Sequence, residues 1–426
     1  MAATDSRFRF FGNVNIGSTP TSPIPHTLNM PLSSLLSNYS HLLFATGCTL
    51  PRLHPALPPS PYCVPALSLV HWYTQHPSRP PPPALDKLTH VALIGNGNVS
   101  LDIARMLLSS PSDLAQYDVP KHVMDVLRHS AVKHVSIVGR RGPLEAAFTV
   151  KELRELMNLQ EASMVPLEPS LLAPSPDVKL TRQQTRTLQL LRKGSDKAPG
   201  STLKTWSLHF FRSPTGLAPP TPSSPLAELS LAHTTLDPST NRAIPTGETS
   251  VLPTSLVVTS LGFHSDPMMS YYDPALGHLR TLSGRVISSS GNALRNVYAS
   301  GWAATGAKGV LASTLLDAYA VADTIISDSL PTEAEDSTTA TAHSPLPDSP
   351  LQTDDDILLN SSPNSDDPPL EIELGLKEGL VTSYEGWKAV DAEEVRRGEA
   401  LGKERERMGW EDARTFLAEL ARPASS

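Results

Sequence analysis

The stretch HVALIGNGNVSLDIARMLL, residues 90–108, decides the fold of this chain. The apolar residues 91–94 predict a buried strand, and residues 101–108 predict a helix. Gly95 and Gly97 lie in the turn between the two. A strand, a glycine turn and a helix in this order begin a dinucleotide-binding βαβ unit, although an ordinary structural strand–turn–helix has the same pattern.

The turn has the chemistry that a pyrophosphate needs. A side chain on either glycine would block close approach of the backbone to the ligand. The start of the following helix offers free N–H groups and a partial positive charge. The third small residue of the fingerprint is Ser100 instead of Gly, and this position requires only close packing of helix on strand. By itself the motif leaves both interpretations open.

The next strand adds a second element. Residues 135–138 predict a strand that ends in Gly-Arg-Arg-Gly, where a dinucleotide fold meets the adenosine ribose. An acidic residue there would select NAD, whereas Arg140 and Arg141 suit a 2′-phosphate. Arg140 lies 45 residues after Gly95, and a helical hairpin over residues 114–129 accounts for the length. A solvated basic turn is the alternative, but the two elements together favour NADP.

A predicted strand also leads into a glycine turn in two other parts of the chain. Residues 42–46 predict a strand that closes at Gly47, and residues 204–263 alternate as strands do. Residues 297–302 lead into a glycine-bearing turn and a helix from Val310 to about residue 326. Trp302 in this turn either lies against a ring system or packs in the core.

Composition limits the function classes. The chain has 426 residues, a net charge of −8 and 41 prolines, about twice the usual share of proline. The prolines cluster in residues 51–83, 214–225 and 331–369, which are predicted to be loops or linkers because proline lacks the N–H donor. The acidic balance argues against nucleic-acid binding. Two cysteines fit a reducing compartment, and no apolar run approaches a membrane span.

Several sequence words, taken together and in order, resemble the mitochondrial adrenodoxin reductase family. This family comprises NADPH-dependent ferredoxin reductases of the glutathione-reductase-like flavoprotein type. The resembling words are FGNVNIG (11–17), GNGNVSLDIAR (95–105), VGRRGPLEAAFTVKELREL (138–156), FFRSP (210–214), IPTG (244–247), ASGWAATGAKGVLASTLLD (299–317) and WKAVDAEEVRRGEALGK (387–403). The word at 138–156 is the longest and most distinctive.

The resemblance implies two cofactors, NADP and FAD, and assigns residues to each. The residues implied for NADP are Asn96, Gly97, Asn98 and Val99 at the pyrophosphate, Arg140 and Arg141 at the 2′-phosphate, Glu152, and Gly309. The residues implied for FAD are Ile16, Trp302, Gly309, Val310 and Leu311. Gly309 is assigned to both cofactors because it matches a position near the nicotinamide.

The resemblance also implies a catalytic carboxylate and a partner site. Asp102 matches a family carboxylate near the flavin that helps proton balance, or is simply a helix-start residue favoured by the dipole. Arg182 and Arg186, one helical turn apart, match the basic site for an acidic [2Fe–2S] ferredoxin, or form a solvated helix face. No Cys/His spacing suggests a metal site.

The sequence departs from the family pattern in two places. The family's first strand and its own GxGxxG for the FAD pyrophosphate precede the GNVNIG word, and this sequence is expected to begin inside the FAD domain. The turn after Trp302 reads Thr305-Gly306-Ala307-Lys308 where the family has Arg-Gly-Pro-Thr. The alternative function is therefore a non-catalytic NADPH-binding protein, and a third is a flavoprotein reductase with another acceptor.

The expected fold is α/β, with two doubly wound dinucleotide-binding domains and the NADP domain inserted into the FAD domain. The expected parts are an FAD-domain fragment (1–50), the NADP domain (51–262), the C-terminal part of the FAD domain (263–330), a disordered acidic and proline-rich insertion (331–369) and a helical block packing on the FAD domain (370–426). The expected reaction passes electrons from NADPH through FAD to a ferredoxin. Resemblance alone suggests the mitochondrial matrix or inner-membrane face, with at most peripheral membrane association.

Overall fold

The computed structural model describes residues 5, 7–17, 24–174, 179–330 and 367–421. The chain forms two compact units. The first unit comprises residues 1–50 and 262–388, and the second comprises residues 51–261 and 389–426. The chain thus leaves the first unit after residue 50 and returns at Gly262, close to the crossings expected near Gly47 and Gly262. The insertion expected over 331–369 lies almost wholly outside the described residues.

The described part of the chain has 21 strands, which form seven sheets of two to six strands. They are β1 (Phe11–Gly12), β2 (Val14–Ile16), β3 (Leu28–Met30), β4 (Leu42–Phe44), β5 (Leu50–Pro51), β6 (Cys63–Pro65), β7 (His90–Ile94), β8 (His134–Val138), β9 (Ala162–Met164), β10 (Lys204–His209), β11 (Arg212–Ala218), β12 (Ala227–Leu236), β13 (Ala243–Thr254), β14 (Leu256–Thr259), β15 (Phe263–His264), β16 (Tyr272–Asp273), β17 (His278–Leu279), β18 (Thr281–Leu282), β19 (Arg285–Ile287), β20 (Ala293–Ala299) and β21 (Thr382–Ser383).

The helices alternate with these strands over much of the chain. They are α1 (Leu32–Asn38), α2 (Ala66–Tyr73), α3 (Asn98–Leu108), α4 (Pro111–Leu114), α5 (Lys121–Arg128), α6 (Val150–Met157), α7 (Arg182–Lys193), α8 (Trp302–Thr305), α9 (Leu311–Ser329), α10 (Leu370–Lys377), α11 (Tyr384–Ala400) and α12 (Trp410–Leu420). The hairpin expected over 114–129 is the pair α4 and α5, and the helix α3, which follows the glycine turn, begins three residues earlier than expected.

The second unit is built on a six-stranded sheet in the order β6-β14-β7-β8-β10-β9, with every pairing parallel. The apolar run HVALI forms the middle of this sheet because both of its faces are covered. Val91 and Leu93 pack in the core formed with the helices. Ala92 and Ile94 point the other way and pack against β12 of the three-stranded sheet β11-β12-β13. The expected parallel βαβ order is therefore confirmed.

The first unit has a mixed sheet in the order β18-β19-β20-β4. β20 pairs in parallel with β4, so that Ala299 lies opposite Phe44, and the other pairings are antiparallel. Phe44 and Ala299 belong to the apolar core of this sheet. The long helix α9 packs on β20. A separate parallel pair, β2 and β3, packs against α10 through Met30 and Ile372.

One of the proline-rich segments differs from the expected loop. Pro214 lies in β11, and Pro245 and Pro253 lie in β13, the two outer strands of the β11-β12-β13 sheet. An outer strand has one unpaired edge, so a residue without an N–H donor is tolerated there. The prediction that residues 214–225 form only loop is therefore wrong over its first five residues.

The C-terminal block is also different from the expectation that residues 370–426 pack together on the FAD domain. α10 packs on β3 in the first unit, but residues 389–426 belong to the second unit. The Lys403 ammonium donates to the carbonyl of Val119 over 2.6 Å, and Arg407 forms an ion pair with Asp118 over 2.9 Å. Long-range ion pairs of this kind have no local sequence pattern, so the division of the block was not predictable.

Candidate functional site

Gly95 is required by the close approach of two strands in the second unit. Its φ is +130°, and a Cβ atom there would lie 2.1 Å from the carbonyl oxygen of Ser260, which follows β14. Its N–H donates to the carbonyl of Val138 over 2.8 Å. Gly97 differs, because a Cβ atom built on it meets nothing within 4 Å. The first glycine therefore serves the fold, and the second keeps a space open in front of α3.

The start of α3 leaves backbone donors without helix partners. Gly97 is the N-cap residue and supplies no side-chain cap. The N–H groups of Ser100 and Leu101 bond back to the Gly97 carbonyl, whereas those of Asn98 and Val99 belong to the first turn and have no acceptor within the helix. Ser100 is fully buried. The small residue expected at the third fingerprint position therefore packs as predicted.

Two asparagine side chains tie the glycine turn to the next loops. The Asn96 amide lies across Gly139, where an added Cβ atom would be 1.7 Å from Nδ2. The Asn98 Oδ1 accepts a hydrogen bond from the N–H of Thr149 over 2.8 Å. The Oδ1 atom of Asn96 is buried and has no hydrogen-bond partner in the structure. A buried acceptor normally has a hydrogen-bond partner, so this unpartnered oxygen beside the glycine turn requires an explanation.

Arg140 and Arg141 follow β8. Hydrogen bonds hold their backbone carbonyls, whereas their guanidinium groups remain available to a ligand. The Arg140 carbonyl accepts from Thr234 Oγ1 over 2.8 Å, and the Arg141 carbonyl accepts from the Phe211 N–H over 3.2 Å. Within the described ranges, neither guanidinium group is in an ion pair. Burial lowers the pKa of the His54 imidazole, and the nearby charge of Arg140 lowers it further. Sequence reasoning did not find His54.

Glu152 lies in the first turn of α6 and is partly buried. Its Oε2 atom is buried without a hydrogen-bond partner. A buried carboxylate oxygen normally has a partner, since leaving it unsatisfied costs roughly 1–3 kcal/mol. Glu152 and Asn96 thus each have a buried side-chain oxygen without a hydrogen-bond partner among the described residues.

Asp102 is on the second turn of α3 and is already paired. Its carboxylate forms an ion pair with Arg105 over 2.5 Å, and Arg105 also pairs with Glu155 of α6. Burial and the Asp102 charge raise the pKa of the neighbouring Tyr73 phenol to about 12. Sequence reasoning missed Arg105, Glu155 and Tyr73, although Arg105 stands one helical turn after Asp102 and was open to detection.

The residues predicted for FAD lie in the first unit. Trp302 begins α8 after Gly301, stacks with Phe263 at a centroid distance of 6.3 Å, and donates from Nε1 to the Lys308 carbonyl over 3.1 Å. Its side chain is 38% exposed, so the alternative of a core tryptophan is wrong. The ring therefore has a supported face and a free surface.

The start of α9 is open. Gly309 has a φ of +85°, and Val310 and Leu311 are 58% and 86% exposed. Ser313 Oγ accepts from the Val310 N–H over 3.0 Å, which orders the turn before the helix. Ile16, at the end of β2, is 38% exposed. Gly309 was expected to contact both cofactors, and the structure places it in the first unit.

Known proteins similar to this chain are reductases. Human mitochondrial NADPH:adrenodoxin oxidoreductase is 32% identical over 422 residues, which cover 95% of this chain and 77% of the relative. NADPH-ferredoxin reductase FprA of Mycobacterium tuberculosis is 32% identical over 332 residues, with coverage of 76% and 69%. The solved structure of that FprA in complex with NADPH has a TM-score of 0.77 at 28% identity, with coverage of 98% and 84%. No family model matches the chain.

The chain belongs to the NADPH:adrenodoxin oxidoreductase family. The resemblance inferred from the sequence words is thereby confirmed, as are the α/β fold class with its Rossmann-like parallel sheet and the class of oxidoreductases. The individual site residues are not tested by these similarities and stay predictions.

The family's partner site was expected at Arg182 and Arg186. Both lie on α7, which starts after Thr181, whose hydroxyl caps the helix by accepting from the Gln184 N–H over 3.2 Å. Both arginines are exposed, and neither forms an ion pair with another residue that the structure describes. Their side chains are therefore available to an acidic partner.

Two further findings concern metals and membranes. The described part of this reductase-family chain contains no group of three or more His, Cys, Asp or Glu side chains placed to hold a metal ion. In the same part of the chain, none of the helices combines the length and apolarity needed to cross a bilayer.

Proposed function

We propose that this chain takes electrons from NADPH, passes them through FAD and delivers them to a [2Fe–2S] ferredoxin. The second unit would bind NADPH, and the first unit would bind FAD. The observation that carries the proposal is the set formed by an open glycine turn, two unpaired arginines and the orphaned oxygens of Asn96 and Glu152. The names of the relatives, which include NADPH, adrenodoxin and ferredoxin, support the same reaction.

The residues of the second unit fit NADP. The N–H groups of Asn98 and Val99 would hold the pyrophosphate, and the space in front of Gly97 lets it approach. Arg140 and Arg141 would pair with the 2′-phosphate through charge-assisted hydrogen bonds. Glu152 would accept a hydrogen bond from the ligand at its buried oxygen. These contacts orient the donor and select NADPH over NADH.

The residues of the first unit fit a flavin in chemistry and exposure. Trp302 offers an indole face, and the open start of α9 offers N–H donors next to the exposed apolar side chains of Val310 and Leu311. Ile16 would cover the adenine. FAD, when bound, connects a two-electron donor to a one-electron acceptor. The role of this chain's residues is to bind the cofactor, orient it and exclude water.

Asp102 would take part in proton balance as a member of a cluster. Arg105 lies between the carboxylates of Asp102 and Glu155 and forms an ion pair with each of them. Asp102 would therefore act together with Arg105 and Glu155 and not as an isolated carboxylate.

The acidic partner would dock on α7. Arg182 and Arg186 would attract the carboxylates of the ferredoxin, which raises the association rate and makes it sensitive to salt. The mitochondrial names of the animal relatives support a mitochondrial location, at the matrix or the inner-membrane face, while the related FprA is bacterial.

The proposal is tested first by binding. The purified chain is incubated with FAD and desalted, and its visible absorption is recorded; flavin bands are expected. NADPH and NADH are then titrated into the unaltered chain and into Arg140→Ala and Arg141→Ala. Each substitution is expected to weaken NADPH binding by about 10- to 100-fold, because a charge-assisted hydrogen bond to the phosphate is lost, and to leave NADH binding unchanged. Arg128→Ala, an exposed arginine of α5, is the control.

The second test is electron transfer to cytochrome c, which should require NADPH, the flavin-loaded chain and an added [2Fe–2S] ferredoxin. NADPH binding without retained flavin would instead support a non-catalytic NADPH-binding protein. Cytochrome c reduction that needs no ferredoxin would support a reductase with a different acceptor. Equal affinity for NADPH and NADH would contradict the role of the two arginines.

A further inference from the structure

The turn that carries Trp302 has an unusual backbone. Ser300 follows β20 and donates its N–H to the carbonyl of Phe44 over 3.0 Å. Gly301 has φ +62° and ψ −145°, a conformation that residues with a Cβ atom rarely adopt. A backbone in such a region keeps its shape only when its neighbours determine it. The neighbours of Gly301 therefore decide where Trp302 lies.

One carboxylate satisfies both donors of this turn. The Oδ2 atom of Asp317 accepts from the Ser300 hydroxyl over 2.8 Å and from the Gly301 N–H over 2.6 Å. Ser300 is nearly fully buried, so its hydroxyl has little access to water. Asp317 itself belongs to the second turn of α9. Asp317 thus connects the long helix α9 to the turn at Gly301, which lies 16 residues before it in the chain.

Two other hydrogen bonds of the turn do not involve the acidic side chains of α9. Cys48 Sγ donates to the Trp302 carbonyl over 3.2 Å, and Thr305 Oγ1 donates to the Gly301 carbonyl over 3.0 Å. On α9 itself, Asp323 is exposed and Asp328 pairs with Arg285. Among the described acidic residues of this helix, Asp317 is the one bonded to the turn.

We propose that Asp317 is a positioning residue of the flavin site. It holds Trp302 at a set distance from the first turn of α9, where Val310 and Leu311 are exposed, so that one bound ring system contacts both. This inference rests on the proposed FAD site in the first unit. The carboxylate acts through the turn and needs no contact with the flavin.

The test compares Asp317→Ala and Asp317→Asn with Asp323→Ala, an exposed acid on the same helix. Hydrogen exchange followed by mass spectrometry reads the protection of the Gly301 amide without any cofactor. Asp317→Ala is expected to speed this exchange at least about tenfold, and Asp323→Ala is expected to leave it unchanged. Asp317→Asn keeps one acceptor oxygen and is expected to fall between them. Far-UV circular dichroism verifies that each variant is folded. If Asp317→Ala does not fold, the comparison of Asp317→Asn with Asp323→Ala decides the test.

FAD titration and the visible circular dichroism of bound flavin form the second arm. Asp317→Ala is expected to weaken FAD binding at least about tenfold, and Asp317→Asn to change the flavin spectrum. Unchanged Gly301 exchange, or faster exchange with unchanged FAD binding and spectrum, would overturn the proposal. If the unaltered chain binds no FAD, the flavin assignment itself fails, and the exchange result separates that failure from the anchoring of the turn by Asp317.

Discussion

At the scale of single residues, Gly95 and Gly97 of the glycine turn differ in why glycine is present. Gly95 faces the Ser260 carbonyl at a distance that excludes any Cβ atom, and its φ is positive. Gly97 faces open space and has a φ of −111°, which any residue adopts. The same residue type in the same motif is therefore required by the fold at Gly95, whereas at Gly97 the fold leaves room for a side chain and only the proposed ligand would require glycine.

This difference leads to a paired prediction. Gly95→Ala is expected to lower the free energy of unfolding by about 2 kcal/mol or more, since the backbone must move to relieve the contact. Gly97→Ala is expected to leave stability within about 0.5 kcal/mol but to weaken NADPH binding at least about tenfold. Urea denaturation and NADPH titration measure the two effects. Gly216→Ala, another glycine with open space around it, is the control. Equal effects of both substitutions on stability would contradict this assignment.

At the scale of elements, the six-stranded sheet contains a polar row on β8 and β10. His134 accepts or donates hydrogen bonds at both ring nitrogens, to Thr205 over 2.7 Å and to Ser207 over 2.9 Å. Ser207 bonds in turn to His209 over 2.8 Å. Burial, together with the nearby His90 and His209, lowers the pKa of His134 to about 4. The row is therefore neutral in the folded chain at neutral pH.

The low pKa of His134 predicts how stability depends on pH. In the unfolded chain this histidine binds a proton near pH 6.5, whereas in the folded chain it does so only near pH 4, so stability is lost as the pH falls between these values. The loss is on the order of 2 kcal/mol after a discount for partial exposure. Urea denaturation at several pH values measures it. His134→Gln should make the curve shallower without abolishing its slope, because burial lowers the pKa of His71 to about 4 as well, and His122→Gln, on the exposed face of α5, should leave the curve unchanged.

The helix α7 provides a second prediction at this scale. A chain with a net charge of −8 repels an acidic protein at long range, so local positive charge is needed for productive docking. Arg182→Glu together with Arg186→Glu is expected to lower ferredoxin-dependent cytochrome c reduction at least about tenfold at low salt, and to reduce its salt dependence. NADPH-to-ferricyanide activity, which needs no docking, is the control. A loss of both activities would argue against a docking role.

At the scale of the whole molecule, the C-terminal segment of residues 389–421 is held to the rest of the second unit by the ion pair of Arg407 with Asp118, and Glu394 positions Arg407 within the segment. The carboxylate of Glu394 is almost fully buried and accepts from the Met408 N–H over 3.0 Å. It also pairs with Arg407 over 3.1 Å. Removing it leaves Arg407 and the Met408 N–H without that acceptor, and a buried group left unpaired is costly.

Glu394→Ala is therefore expected to lower the free energy of unfolding by about 2 kcal/mol, a reduced figure because Arg407 is partly exposed. Chemical denaturation measures the loss, and limited proteolysis should show earlier cleavage within residues 389–421. Glu385→Ala, which removes an exposed surface pair with Lys388, is expected to change stability by less than about 0.5 kcal/mol. Similar effects of both substitutions would show that Glu394 has no special role.

The sequence by itself determined the fold class, the order of the elements and the reductase family. Local rules suffice for the first two, because the run HVALI is apolar enough to be a central strand, and the glycine turn and the GRRG word each follow the carboxyl end of one of two neighbouring parallel strands. The family followed from the resemblance of the sequence words. Most predicted strands and helices agree with the structure within about three residues, because such patterns depend on neighbours in sequence.

Only the tertiary structure decided how distant residues meet. It paired Arg105 of α3 with Glu155 of α6, and it divided the C-terminal block between the two units. It also bonded Asp317 to the turn at Gly301. These contacts join residues that are far apart in the chain or that share no periodic pattern, and their partners are chosen by burial and hydrogen bonding in three dimensions. A single sequence carries no local mark of that choice.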